Sequence, residues 1–351
     1  MYFRELPTIH MCLKTQYDWL LYITDHRFYL IFACDVYNTI IINKMTDERN
    51  FRSSYYEKVG FRSVEEKKSL EILLKEHPFD KMKLKQFCLR FTVPAMYRNL
   101  IWKILLDVIP VYIDSHEFIM KQRKAEFEDL HKALKVTKFM EDNTKPHLML
   151  LTMWLLRTRR TKIDMSTQLE SSLYRAMSRM AEALWYIIDT DSGQDKLVDV
   201  YWILCGLLNQ VQKFHAEVGR LQECTCALLE REDPELSKHL ARNEALHNLP
   251  FDMWFYSCFA GTICNGSIAK IWDKITVGAY KILVFVGVIM LTTLRRVLLR
   301  TDSIDSVLNT INNITEKTSE LIVNKAIESW QQSGSTLTSI SQNTVNITQS
   351  T

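Results

Sequence analysis

Turn-forming residues are scarce in this chain: its 351 residues include only nine glycines and seven prolines. An architecture of many short strands, sandwich or barrel, needs more turn residues than that. Charge of one sign is missing too. A formal net charge of +3 is close to neutral for this length and gives no reason to expect nucleic acid or a membrane surface as a partner. No long hydrophobic run is present. The longest, Ile282 to Leu294, lies between Lys281 and Arg295 and falls short of the roughly 20 residues that cross a bilayer. Phe28 to Cys34 is shorter still, so no transmembrane segment is expected. The first 25 residues lack the basic start and apolar block of a signal peptide.

Eight cysteines are present, but none has the paired two-residue spacing that zinc sites favour. Cys12, Cys34, Cys88 and Cys205 stand alone among apolar neighbours, as small core side chains do. Cys224-Thr225-Cys226 and the pair Cys258 and Cys264 do not form a metal pattern. Reduced thiols point to a cytosolic compartment, where the Asn313-Ile314-Thr315 and Asn346-Ile347-Thr348 sequons carry little weight. No metal and no cofactor is expected.

What the chain does have is helix-forming residues. Leu, Glu, Lys, Arg, Met and Ala are plentiful, and 47% hydrophobic content suffices for a sizeable core. Residues 1–44 are aromatic and β-branched without a helical period. Met45-Thr46-Asp47-Glu48-Arg49-Asn50 then opens a charged, initiator-like segment. From there to Trp330 the pattern is helical. Ser63-Val64-Glu65-Glu66 reads as a capping box, followed by a Leu70, Leu73, Leu74 stripe that stops at Pro78. Pro94 starts a helix carrying Leu100, Ile101, Ile104 and Leu105 on one side. A further helix runs from about Ser115 with Phe118, Phe127, Leu130 and Leu134 as its apolar positions. Asp233 caps a helix whose first residue is Pro234. Nothing between Phe61 and Trp330 alternates as a half-buried strand would, so the expected fold class is all-α. The Ser/Thr-rich residues 333–351 read as a disordered tail.

Several landmarks fall in one order. Pro94, Arg98, Trp102, Leu105 and Leu106 spell P-x3-R-x3-W-x2-L-L. Asp233-Pro234, Leu236 and His239-Leu240 follow, then Leu249-Pro250, Trp254-Phe255 and Phe259-Ala260. Ile271-Trp272-Asp273, Gly278 and the apolar helix from Ile282 complete the series. Each string alone is weak, because tryptophan and leucine at helical spacing are usually plain core. Together the strings resemble the TBC domain, the multi-helix fold of Rab GTPase-activating proteins. The resemblance spans residues 45–332 and leaves residues 1–44 as an extension, either an upstream exon or a mis-called start.

A TBC-type activator inserts an arginine and a glutamine into its partner's nucleotide site. The family carries them in I-x-x-D-x-x-R and Y-x-Q motifs, and an arginine supplied this way accelerates related GTPases by about 10³–10⁵-fold. Neither motif is present here. No aspartate in the chain has arginine three residues later, and none of the fourteen tyrosines has glutamine two positions on. In the degenerate finger region, Ile163-Asp164 is followed by Thr167 where arginine is needed, and Tyr174 by Ala176 where glutamine is needed. Arg157, Arg159 and Arg160 could in principle act as a displaced finger, but they read more simply as a solvated basic helix end. Gly261 and Gly266 have P-loop spacing, but Ser267 stands where lysine is required. Catalytic residues are therefore expected to be absent.

Within that family, the segments Tyr55–Arg62, Val64–Leu74, Leu130–Val136 and Lys281–Val286 resemble the branch whose members serve as subunits of the tuberous sclerosis complex. That likeness implies a non-catalytic subunit with a hamartin-like coiled-coil protein as direct partner and a tuberin-like activator of the small GTPase Rheb as indirect partner. It also implies restraint of TOR signalling and cytoplasmic localisation with recruitment to lysosomal membranes. Surfaces near Trp154, Trp185 and Tyr186 are candidates for the partner's helix, though burial in the core is the expected fate of each. The alternative is an active Rab GTPase-activating protein using unconventional fingers on small GTPases.

Overall fold

A computed structural model of the chain describes residues 64–139, 143–160, 168, 170–188 and 193–334. The expectations for residues 1–44, the Ser63 cap and the tail beyond Gly334 lie outside the described residues, as do Cys12 and Cys34.

The described chain opens with α1 (Val64–Lys75), α2 (Lys81–Arg90) and α3 (Ala95–Leu105). Asp80 starts α2 by accepting from the Met82 and Lys83 N–H groups at 2.9 and 3.0 Å, which satisfies donors that have no partner within the helix. Leu84, Phe87 and Cys88, at i, i+3 and i+4, form its buried face. Pro94 precedes α3 with φ −61°. Next come α4 (His116–Thr137), α5 (Pro146–Arg157), α6 (Ser172–Ile187) and α7 (Gly193–Phe214). Lys138 ends α4 in the left-handed region at φ 54°. Phe118, assigned to the inner stripe of α4 by its spacing, is instead 63% exposed. Ile119 and Met120 pack half-buried against the core at this end, and Phe118 points away from the side they cover.

The second half comprises α8 (Val218–Glu232), α9 (Pro234–Arg242), α10 (Ala245–Asn248), α11 (Phe251–Tyr256), α12 (Asn265–Ile275), α13 (Ile282–Thr293), α14 (Arg295–Leu298), α15 (Ile304–Asn312) and α16 (Glu316–Gln332). Asp233 caps α9 through the Leu236 N–H at 3.1 Å. The apolar run noted in the sequence is α13, which packs between α8 and α16. A helix apolar all round must be enclosed by protein. Gly287 lets α8 come close, since a Cβ there would sit 3.2 Å from the Thr225 methyl. Helix α6 contacts α5, α7, α11 and α12, and α12 in turn contacts α2 and α16. These contacts join the two halves around one continuous apolar core.

The fold is all-α, with no strand among the described residues. A single bridge joins Ala260 and Ile263 within a tight loop. No described helix is long and apolar enough to cross a membrane.

Candidate functional site

The landmark residues meet in two buried clusters. In the first, the Asp273 carboxylate on α12 is wholly excluded from solvent, and each of its oxygens accepts two hydrogen bonds. Oδ1 accepts from Arg98 Nε at 3.1 Å and Trp102 Nε1 at 2.9 Å. Oδ2 accepts from the Val93 N–H at 2.9 Å and Arg98 Nη2 at 3.4 Å. Arg98 Nη2 also donates to the Val93 carbonyl at 2.5 Å. A carboxylate can be buried at tolerable cost only with its charge paired and its lone pairs occupied, and α3 with Val93, two positions before it, supplies both. Lys274, the next residue and equally buried, donates to the Cys88 and Phe91 carbonyls at the end of α2. Gln331 from α16 donates to the Arg90 carbonyl at 2.8 Å. The C-terminal carbonyls of α2, which have no donor left to meet within the helix, are thus held by two distant helices.

The second cluster explains the W-F-x3-F-A string. Cys258 and Phe259 follow α11 with φ 48° and 63°, a region that bulky residues seldom occupy. Several bonds hold them there: Trp272 Nε1 donates to the Cys258 carbonyl at 3.1 Å, the Cys258 N–H to Phe255 O at 3.1 Å, and the Phe259 N–H to Trp254 O at 2.7 Å. Gly261 continues the turn at φ 74°. Trp254 stacks on Phe259 with centroids 5.9 Å apart, and Phe255 meets the same ring edge-on. Trp102 and Trp272 lie 6.4 Å apart, so the two clusters adjoin. Pro94 and Leu105 sit at the two ends of α3, with Leu105 in the core.

Neither cluster is equipped for bond-making chemistry. Burial pushes the Cys88 thiol well above its usual range, with the Asp273 charge adding to the effect. Burial raises Cys258 in the same way and Cys205 to about 12. These thiols stay protonated at neutral pH and are poor nucleophiles. Among the described residues no group of three or more His, Cys, Asp or Glu could hold a metal ion. His239 is half-buried and bonds the Thr301 carbonyl at 2.9 Å.

The degenerate finger region is different in kind. Ile163, Asp164 and Thr167 lie outside the described residues. Tyr174 and Ala176 fall in the first turns of α6. Tyr174 packs half-buried against the core, and Ala176 is 0% exposed. A side chain at position 176 faces the core and not solvent. Gln168, which sequence reasoning passed over, is buried and donates to the Arg160 carbonyl at 2.6 Å, pinning together the two flanks of residues 161–167.

The three arginines are all exposed, as a solvated helix end would be, but two of them also make contacts within the domain. Arg157 Nε donates to Glu126 Oε1 at 2.8 Å, and its guanidinium lies 4.8 Å from the Trp202 ring centre. Arg123 lies 4.1 Å from the same ring. Arg160 sits 5.3 Å from the Trp154 ring and reaches Gln212 at 3.4 Å. Arg159 is exposed and follows α5 at φ 55°. Of the proposed partner surfaces, Trp154 is fully buried and Trp185 half-buried beneath Lys196 at 4.9 Å. Tyr186 departs from the expected burial and is 67% exposed: it lies on the side of α6 turned away from the core, while Leu184, Ile187 and Ile188 around it are packed.

Sequence reasoning also missed a polar tie between α3 and α7. Lys103 Nζ donates to both Asp199 oxygens at 3.0 and 3.1 Å, and Asn99 Nδ2 adds a bond of 2.7 Å. Asn99 and Lys103 are four apart on the helix, which is the one local signal of the tie. Their acidic partner lies almost a hundred residues away, where no local pattern could identify it.

This arrangement is that of a known class of helical domain. The solved Ypt/Rab-GAP domain of Gyp1p superimposes with a TM-score of 0.53 at 17% identity, covering 77% of this chain and 99% of that one. At that identity the likeness concerns the fold. The model of the Rab-GTPase-TBC domain matches residues 96–299, a span that holds Arg98, Trp102, Trp254, Trp272 and Asp273. The chain belongs to the TBC (Rab-GAP) domain family. It is 39% identical over 292 residues to TBC1 domain family member 7 of Homo sapiens, covering 81% of this chain and 95% of that protein. The Danio rerio protein of the same name is 38% identical over 290 residues, with 81% and 95% covered.

Proposed function

We propose that this chain is a non-catalytic TBC-domain subunit, an adaptor that binds a helical segment of a hamartin-like coiled-coil protein. Through that partner it stabilises a tuberous sclerosis-type complex in which a tuberin-like subunit activates Rheb, at lysosomal membranes, and so restrains TOR signalling. The observation that carries this reading is the absence of both finger motifs from the sequence, in a chain that otherwise follows TBC1 domain family member 7 over most of its length. The position of Ala176 supports it: the site nearest to the glutamine motif is turned into the core.

Binding is the role left to such a domain, and a coiled-coil partner offers apolar anchors at i, i+3, i+4 and i+7. Capture of this kind buries apolar surface, so affinity should depend weakly on salt, unlike an interface of exposed charges. Calorimetry with the partner's C-terminal coiled-coil fragment at low and high salt tests this. The expected result is binding at both, with little change between them. No binding at about tens of micromolar, an interaction of only about 6 kcal/mol, would remove the adaptor reading.

The competing reading is an active Rab GTPase-activating protein with a displaced finger. All three arginines are exposed, and Arg159 is its best candidate because Arg157 and Arg160 are engaged within the domain. Single-turnover GTP hydrolysis across a panel of Rab proteins separates the two. No acceleration is expected. An acceleration near the range of other arginine fingers, about 10³-fold or more, abolished by Arg159→Ala, would establish the active enzyme.

A further inference from the structure

We draw no further inference here: the strongest candidate, the exposed apolar patch of Met82, Tyr112, Ile113 and Phe118 beside the stacked Phe79 and His116 rings, carries nothing because nothing in the structure shows what covers it.

Discussion

Around Asp273 four hydrogen bonds converge on one buried carboxylate, whereas at Ala176 a methyl group fills a core position with no polar partner to meet. Both positions lie on helices that touch each other, α12 and α6. Both belong to strings by which the family is read. At the first, the residues present are those that hold α2, α3 and α12 together. At the second, the residues of the catalytic motif are missing, and the helix packs as any core helix does. The contrast separates two demands that a family motif can serve. A buried ion pair is kept in place by the folding cost of breaking it, while a transition-state group is needed only by a protein that does the chemistry.

The sharpest way to break this comparison is at the buried carboxylate. Asp273→Ala would leave the Arg98 guanidinium, the Trp102 indole N–H and the Val93 N–H without their acceptor. Removing one partner of a buried pair costs about 3–5 kcal/mol, and urea denaturation should show that loss or a protein that fails to fold. Trp102→Ala belongs to the same class, at about 3–5 kcal/mol for a buried tryptophan. A Trp102→Ala protein with a wild-type denaturation midpoint but no partner binding would instead make this cluster an interface.

Ala176→Gln probes the other side. The larger side chain must enter a filled core, and overpacking typically costs about 1–3 kcal/mol. The variant should therefore lose stability and gain no GTP hydrolysis with any Rab protein. Acceleration by this single change would mean that position 176 reaches a bound nucleotide, contrary to its burial.

A smaller effect is expected at Arg157. Arg157→Ala removes an ion pair with Glu126 and the contact with Trp202, both at a partly exposed site. Such contacts are worth about 1 kcal/mol or less. Thermal melting at low and high salt should show a slight loss that shrinks as salt rises, with partner affinity unchanged.

The smallest concerns His147 on α5. Burial lowers its affinity for a proton, with Lys145 adding to that and Glu182 opposing it. A folded pKa below the unfolded value means that the neutral form is favoured on folding. This contribution is complete above the unfolded pKa of about 6.5 and is lost as pH falls below it. His147→Gln should flatten this part of the stability curve between neutral and mildly acidic pH.

Much of the helical architecture is legible in the sequence. The cap at Asp233, the proline starts and the apolar run of α13 are local signals, because a helix end and a helix face are each set by residues a few positions apart. The order of the tryptophan and leucine landmarks is likewise enough to point to the family. The arginine cluster is only half legible. Its charges are plain in the sequence, but Glu126 and Trp202 reach Arg157 from other helices.

The sequence by itself determined the all-α class, the Asp233 cap, most of the apolar faces and the absence of both finger motifs. Those are properties of composition and of spacing along one helix. Only the tertiary structure decided that Asp273 meets a backbone N–H 180 positions earlier, that Ala176 faces inward, and that Tyr186 and Phe118 face outward. Helical periodicity shows which face of a helix is apolar. It does not show which helix will cover that face, because packing joins residues whose separation in the chain carries no signal of their contact.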